Sequence, residues 1–294
     1  MANPNRTVTV RLIGGLGNQL FQYATARAVA LRKDGTVKLD VSGFEAYGLR
    51  RYELDAYPIE ASLATAQDLA AFETQSPPAG TFGRIMRKLR PPARIYREPH
   101  FHYDQQLASQ LLPIYLDGYW QSERYFVEAA DQLRRDLTPR EPLDPDNAAL
   151  AHEIEAVEAV SLHVRRGDYV SNAHTNAYHG VCSLDYYRAA IALIRQRVGA
   201  PHFFVFSDDH DWTRENLRLD GPATYVTANP ADRGFRDMQL MARCRHHVIA
   251  NSSFSWWGAW LNPSPDKIVV APKGWFVSQD NDTRDLLPTG WIRL

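Results

Sequence analysis

At 294 residues the chain is long for one hydrophobic core and ample for two domains of ordinary size. A composition of 45% hydrophobic, 23% charged and 11% aromatic residues excludes a disordered or low-complexity chain. A formal net charge of -1 excludes a global field that would draw the protein to nucleic acid or to an acidic membrane, so any bound anion must be held by a local cluster.

Met1 to Arg11 is polar and runs into the strand-like TVTVRLI without an apolar leader core. Thr7 to Ile13 reads as a strand ending at Gly14-Gly15-Leu16-Gly17. From Asn18 a helical pattern follows, with Leu20, Phe21, Ala24, Ala28 and Leu31 on one face. Thr36 to Val41 is a second strand, which makes strand, glycine turn, helix and strand the opening of a βαβ unit. Gln75 to Pro92, with Pro77-Pro78 and the basic Arg84, Arg87, Lys88 and Arg90, reads as an excursion from the sheet. Ile114 to Tyr119 is a strand and Ser122 to Leu137 a helix. Thr138 to Asp146 then holds three prolines within a few residues and marks a domain boundary.

Alternation resumes beyond it. Strands are expected at Ala159 to Val164, Phe203 to Phe206, Thr224 to Thr227, His247 to Ala250 and Ile268 to Ala271. Helices are expected at Leu184 to Arg197, Phe235 to Ala242 and Ser255 to Leu261. This is a second α/β sheet, and the largest cleft is expected between the two domains, where strand C-termini converge. No run of ~18 apolar residues could span a bilayer. Cys182 and Cys244 form no CxxC, which argues against a disulfide framework or a structural zinc site and suits a cytoplasmic protein.

Four blocks carry chemistry. His163-Val164-Arg165-Arg166-Gly167-Asp168-Tyr169 leaves a strand end with two adjacent guanidiniums, whose forked donors suit a diphosphate. The same residues also fit a surface turn closed by an internal Arg–Asp pair. Phe206-Ser207-Asp208-Asp209 follows a strand too. It admits a metal reading or a helix cap, and the helical continuation Asp211-Trp212-Thr213-Arg214-Glu215 favours the cap. Asn251-Ser252-Ser253-Phe254-Ser255-Trp256-Trp257 sets four polar side chains within five positions at a helix start, more than a cap requires and well suited to an anion. Gly14-Gly15-Leu16-Gly17-Asn18-Gln19 lacks both the GxGxxG spacing and a P-loop Lys-Ser/Thr. It reads as a glycine turn that lets a ligand approach the backbone.

GGLGNQLFQYA at the start, GYWQSERYF at Gly118 to Phe126, HVRRGDY, FSDD and NSSFSWWGAWL together resemble the α-1,2-fucosyltransferase family, glycosyltransferase family 11, in that family's order and over nearly the whole chain. HVRRGDY with NSSFSWWGAWL is the specific pair. The resemblance implies a GT-B α/β architecture of two Rossmann-like domains facing a central cleft: residues 1–140 on the acceptor side and 141–294 binding GDP-fucose. It also implies an inverting mechanism with no metal and no cofactor besides the donor.

Carried over, Arg165 and Arg166 would hold the β-phosphate. His163 and Asp237 would face guanine or ribose, and Asn251, Ser252, Ser253, Phe254 and Ser255 would complete the phosphate site. Ser207, Asp208 and Asp209 would lie near the nucleotide, which sets the metal reading aside. Gly15, Gly17, Asn18 and Gln19 would join the donor-binding set. Asp168 would either take the acceptor proton or clamp the arginines. The implied reaction moves fucose to the 2-hydroxyl of a terminal galactose on a glycan, with no nucleic acid and no integral membrane segment involved. The family's animal members carry an N-terminal anchor, so the resemblance implies a bacterial cytoplasmic enzyme, peripheral at most to the inner membrane. A transferase for another nucleotide sugar and a non-catalytic glycan-binding protein are the alternatives, and the acceptor's identity is not written in these motifs.

Overall fold

The structure is a computed structural model that describes residues 4–46, 50–73, 94–167, 180–278 and 280–294. The chain folds as two units. The first is Met1–Thr138 with Arg284–Leu286, and the second is Pro139–Thr283 with Leu287–Leu294. Division of the chain at residue 140 leaves the segment Arg284–Leu286 on the other side. The expected excursion at Gln75 to Pro92 lies outside the described residues.

The first unit is built on a five-stranded sheet ordered β3-β2-β1-β5-β4, every neighbouring pair parallel: β1 Thr7–Arg11, β2 Thr36–Asp40, β3 Ala61–Leu63, β4 Arg94–Arg97 and β5 Ile114–Asp117. Thr7 to Val10 of β1 are all buried, the pattern of a central parallel strand covered on both faces. Helix α1, Leu16–Arg32, starts one turn's corner after β1 with Gly15 in extended conformation at its cap. It is buried over most of its circumference, and its polar Tyr23 and Arg27 meet one buried carboxylate: the Tyr23 hydroxyl donates to Asp136 at 2.8 Å and Arg27 Nε at 3.1 Å. Asp136 ends α4, Ala130–Asp136, after the short helices α2, Gly43–Ala46, and α3, Ala66–Glu73. The helix expected over Ser122 to Leu137 is thus three pieces, Glu123–Tyr125 and Val127–Ala129 being single 3₁₀ turns. The break falls at Phe126, which leaves the helical region at φ -143° and ψ 2°. Its neighbour Tyr125 is pinned there, since its hydroxyl accepts the Asp104 N–H at 2.8 Å.

The second unit holds six strands ordered β11-β10-β9-β6-β7-β8, again all parallel: β6 Glu158–Val164, β7 Pro201–Ser207, β8 Ala223–Tyr225, β9 His246–Val248, β10 Val269–Ala271 and β11 Ile292–Arg293. In order of appearance the first strand is central, the second and third lie to one side, and the fourth to sixth lie to the other. That is the strand order of the doubly wound nucleotide-binding fold. Its helices are α5 Pro145–Glu155, α6 Leu184–Arg197, α7 His210–Asn216, α8 Gly234–Met241 and α9 Ser253–Leu261. Helix α5 was not expected. The last proline of the boundary stretch, Pro145, is its first residue, and Asp144 caps it by accepting the Asn147 N–H at 3.0 Å.

Phe203 and Val205 of β7 and Val160 and Leu162 of β6 pack against Ile191 and Ile194 of α6. Burial of each contributes about 1.5–3 kcal/mol. Two Rossmann-like α/β units are therefore present, the domain pair of the expected fold class.

Candidate active site

In the second unit the strand order reverses once, between β6 and β9. Ligands of open α/β sheets bind beyond the carboxyl ends of strands at such a switch point. The blocks singled out in the sequence lie there: HVRRG follows β6, FSDD ends β7 and NSSFS follows β9.

β6 delivers His163 as its last inward side chain. His163 is buried against Phe254 of α9, the ring centroids 5.6 Å apart, and its Nδ1 has no hydrogen-bond partner among the described residues. Burial pushes its pKa down to about 4, opposed by the Asp208 carboxylate and reinforced by Arg165. The ring is therefore neutral at pH 7 and offers a ligand either a donor or an acceptor.

Arg165 and Arg166 sit just beyond, and the acidic pair holds both. Arg165 Nη1 lies 3.0 Å from Asp208 Oδ2, and Asp208 Oδ1 accepts the Arg166 backbone N–H at 2.8 Å. Arg166 Nε donates to Asp209 Oδ2 at 3.3 Å, while Asp209 Oδ1 caps α7 by accepting the Trp212 N–H at 3.2 Å. The Arg166 guanidinium carbon sits over the Trp212 ring, 3.6 Å from its centroid. All four carboxylate oxygens of Asp208 and Asp209 are thus engaged, three with the arginines and one as a helix cap. The Nη edge of Arg166 has no partner among the described residues, so a planar fork remains for an anion. Gly167 permits this arrangement: a Cβ there would stand 2.7 Å from Asp208 Oδ2. Ser207 Oγ supports the turn by accepting the Asp209 N–H at 3.0 Å and meeting Thr213 Oγ1 at 3.2 Å. Among the described residues the arginines are paired with carboxylates from the end of β7 and not with an aspartate internal to the block. Asp168 lies outside the described residues.

After β9, Asn251 is buried. Its Nδ2 donates to the Gly180 and Trp275 carbonyls at 3.3 and 3.2 Å, and its Oδ1 accepts from Cys182 Sγ at 3.4 Å. Ser252 caps α9 by accepting the Phe254 N–H at 3.3 Å, and Ser255 Oγ turns back to the Ala250 and Ser252 carbonyls. Three of the four clustered polar side chains therefore build the loop. Ser253, half-buried in the first turn, has no side-chain partner among the described residues and remains for a ligand with the helix N-terminus. Phe254 joins the elements, since Gly234 at the start of α8 approaches its ring while the other side meets His163.

Asp237 stands in the first turn of α8, half-buried, and burial pushes its pKa up to about 6 against a bond from Asn229. Asn229 Nδ2 donates to Asp237 Oδ1 at 2.7 Å and to Asn147 Oδ1 at 2.9 Å, and the Asn147 amide is anchored in turn on Asp144. This amide relay was not foreseen; Asn229-Pro230 reads only as a turn. Trp212 was missed as well, although its place four residues after Asp208 in a capped helix turns it back towards the arginines.

The remaining predicted residues belong to the first unit. Gly14, at φ 77°, tucks against the Asn18 side chain, where a Cβ would collide, and Gly15 caps α1. Gly17 is buried within the helix. Gln19 is fully buried and holds the turn: its Nε2 donates to the Gly14 and Arg51 carbonyls and its Oε1 accepts the Glu53 N–H. Asn18 accepts from Gln121 Nε2 at 2.9 Å.

Residues 96–294 match the profile of Glycosyl transferase family 11. An α-1,2-colitosyltransferase of Escherichia coli is 34% identical, the match covering 98% of each chain. The O-antigen biosynthesis glycosyltransferase WbnK of the same species is also 34% identical, over 96% of this chain and 99% of that one. The human galactoside α-(1,2)-fucosyltransferase 1 is 26% identical over 88% of this chain and 67% of its own. Among solved structures, the α-1,6-fucosyltransferase NodZ soaked with GDP-fucose aligns over 88% of this chain and 93% of its own, with a TM-score of 0.46 and 16% identity. With the arginine, serine and glycine blocks in place on two parallel α/β units, and with relatives matched from end to end, the chain belongs to glycosyl transferase family 11.

Proposed function

We propose that the protein is an inverting, metal-independent α-1,2-fucosyltransferase that moves fucose from GDP-β-L-fucose to the 2-hydroxyl of a terminal galactose. The second unit takes the nucleotide and the first the acceptor. One observation carries the reading: two adjacent arginines at the carboxyl end of β6, each held by a carboxylate, with the Nη edge of Arg166 unengaged among the described residues.

As the sugar leaves, negative charge grows on the β-phosphate. A preset guanidinium binds that charge more strongly in the transition state than in the ground state. His163 and Asp237 flank the base or ribose; the Asp237 carboxylate can accept from guanine N1–H and N2–H₂ together. Attack by the acceptor oxygen on the face opposite the phosphate turns a β-linked donor into an α-linked product.

The colitosyltransferase relative supports a second donor, since colitose is fucose without its 3-hydroxyl. The two differ by one hydrogen-bonding group. A site built to pair that hydroxyl rejects the deoxy sugar by about 10⁴-fold, and a site that ignores it discriminates weakly. The test is a donor panel, GDP-fucose, GDP-colitose, GDP-mannose and UDP-galactose, against galactose-ending acceptors, with product linkage read by NMR. Turnover of GDP-fucose to an α-1,2-linked product is expected. Preference for GDP-colitose moves the donor assignment, preference for UDP-galactose overturns the guanine reading, and turnover of none leaves a glycan-binding protein.

A further inference from the structure

In the second unit two side-chain amides stand between two carboxylates, and every hydrogen on them is in use. Asp144, at the cap of α5, accepts from Asn147 Nδ2 with both oxygens, at 3.0 and 2.9 Å, and from the Asn147 backbone N–H at 3.0 Å. That N–H, and then the amide, hold the Asp144 carboxyl below the usual carboxylate range. A carboxylate only accepts, so the Asn147 amide must turn its nitrogen towards it. The two amides then pair with each other. Asn147 Nδ2 donates to Asn229 Oδ1 at 2.8 Å, and Asn229 Nδ2 returns a bond to Asn147 Oδ1 at 2.9 Å. The second hydrogen of Asn229 Nδ2 goes to Asp237 Oδ1 at 2.7 Å. Orientation thus passes from Asp144 to Asp237. A flipped Asn229 would set its oxygen against both Asn147 Oδ1 and the Asp237 carboxylate.

One end of this relay is closed and the other is open. Asp237 is half-buried, its Oδ2 has no partner among the described residues, and its Oδ1 keeps a second lone pair. A carboxylate so placed is costly unless donors from outside complete it. The helix that carries it borders the nucleotide-side residues of the same unit: Gly234, the first residue of α8, approaches the Phe254 ring, which also meets His163. Docking of α8 has its own fastening. Buried Arg236 donates to the Glu141 and Pro142 carbonyls at 3.1 and 2.8 Å. The bond from Asn229 to Asp237 is therefore not needed to hold the helix in place.

We propose that Asn229, oriented by Asn147, is a positioning residue for base recognition: it pins Asp237 Oδ1 so that the rest of the carboxylate meets a base edge bearing two adjacent N–H donors, and it thereby sets the preference for guanine. The assignment rests on the guanine reading of Asp237 given above. The terminal torsion of an aspartate is broad, so an unanchored carboxylate would sample many planes, and one anchored oxygen narrows them to a plane suited to two-point acceptance. The same bond favours the ionised carboxylate against burial, which pushes its pKa up to about 6. Asn229 itself has no hydrogen left for a ligand, so it acts only through Asp237.

The test is calorimetry on the full-length protein with GDP and with inosine diphosphate, whose base keeps N1–H and lacks the 2-amino group. Melting temperatures are measured alongside. Wild type should bind GDP at least ~10-fold more tightly, the scale of one hydrogen bond to a charged group. Asn229→Ala should weaken GDP by at least ~10-fold and inosine diphosphate much less, so that the preference falls below ~3-fold. Asn147→Ser keeps Asn229 and removes the amide that orients it; the preference should fall in the same direction and by less. This variant also carries the test if Asn229→Ala does not fold. A preference in Asn229→Ala within ~2-fold of the wild-type value overturns the proposal, even where the melting temperature drops or both nucleotides weaken together. The amide pair would then be only a brace between α5 and the turn before α8. An unchanged preference in Asn147→Ser overturns the orienting role of Asn147. The guanine reading is judged on other proteins: a wild type without the preference, or Asp237→Asn retaining it, sinks that reading itself.

Discussion

Arg166 is gripped on two sides, its Nε by Asp209 and its face by Trp212, so its fork points one way before any ligand arrives. An ammonium has neither the plane to stack nor the second donor to fork. Arg166→Lys and Arg166→Ala should both lower kcat by at least ~100-fold, the scale of one lost electrostatic donor in a prearranged site. Near-normal turnover of the lysine variant would refute this. Asp237 supports a separate expectation. Asp237→Asn should weaken GDP binding, read by calorimetry, far more than it lowers the melting temperature. Burial lifts the Asp237 pKa from its ordinary 3.8 to about 6, so the folded state binds this proton more tightly than the unfolded one. Stability contributed by the protonated form is full below about 4 and declines as pH rises to about 6. Wild type should therefore lose stability relative to Asp237→Asn across that interval, and a constant difference in melting temperature from about pH 4 to 7 would count against it.

Among the elements, α8 and α9 pack where Gly258 meets Met241, a Cβ at 258 lying 3.0 Å from the methionine Cβ. Gly258→Val should destabilise the protein by about 1–3 kcal/mol through overpacking, seen as a shifted denaturation midpoint with an unchanged slope. The contact also shows where sequence reading succeeds and stops. The strand ends that carry HVRRG, FSDD and NSSFS could be placed because each block breaks an apolar run with polar residues beside a glycine or a cap. Which of those polar groups face a ligand could not be. Asn251, Ser252 and Ser255 look interchangeable with Ser253 along the chain, and only three-dimensional hydrogen bonding commits the first three to the loop. Asn229 left no signal beyond a turn, because its meaning comes from Asp237 and from Asn147, the latter 82 residues away. The short edge strands β3, β4 and β11 were unread for a related reason: two to four residues carry too little periodicity to register.

At the scale of the whole molecule, the net charge of -1 means that a diphosphate is met by a local cluster and not by a general field. In the proposed reading two arginines supply that cluster, and each oxygen of Asp208 and Asp209 already accepts from one of them or from the start of α7. Transfer should survive exhaustive treatment with EDTA, and abolition with rescue by Mn²⁺ would restore a metal to the mechanism. The first unit is also discontinuous. Asp285, far along the chain, accepts the Tyr103 N–H and the Arg124 guanidinium, and its carbonyl accepts the Ser122 hydroxyl. On the ribosome, then, the half made first cannot be completed until the last residues have emerged, and it must wait with those donors in water while the second sheet is being synthesised. The same thread constrains recombination between relatives. A chimaera joined once at Thr138 would inherit a foreign residue 285 in its native half, so an exchange that keeps both units whole needs three junctions, at 138, 283 and 286.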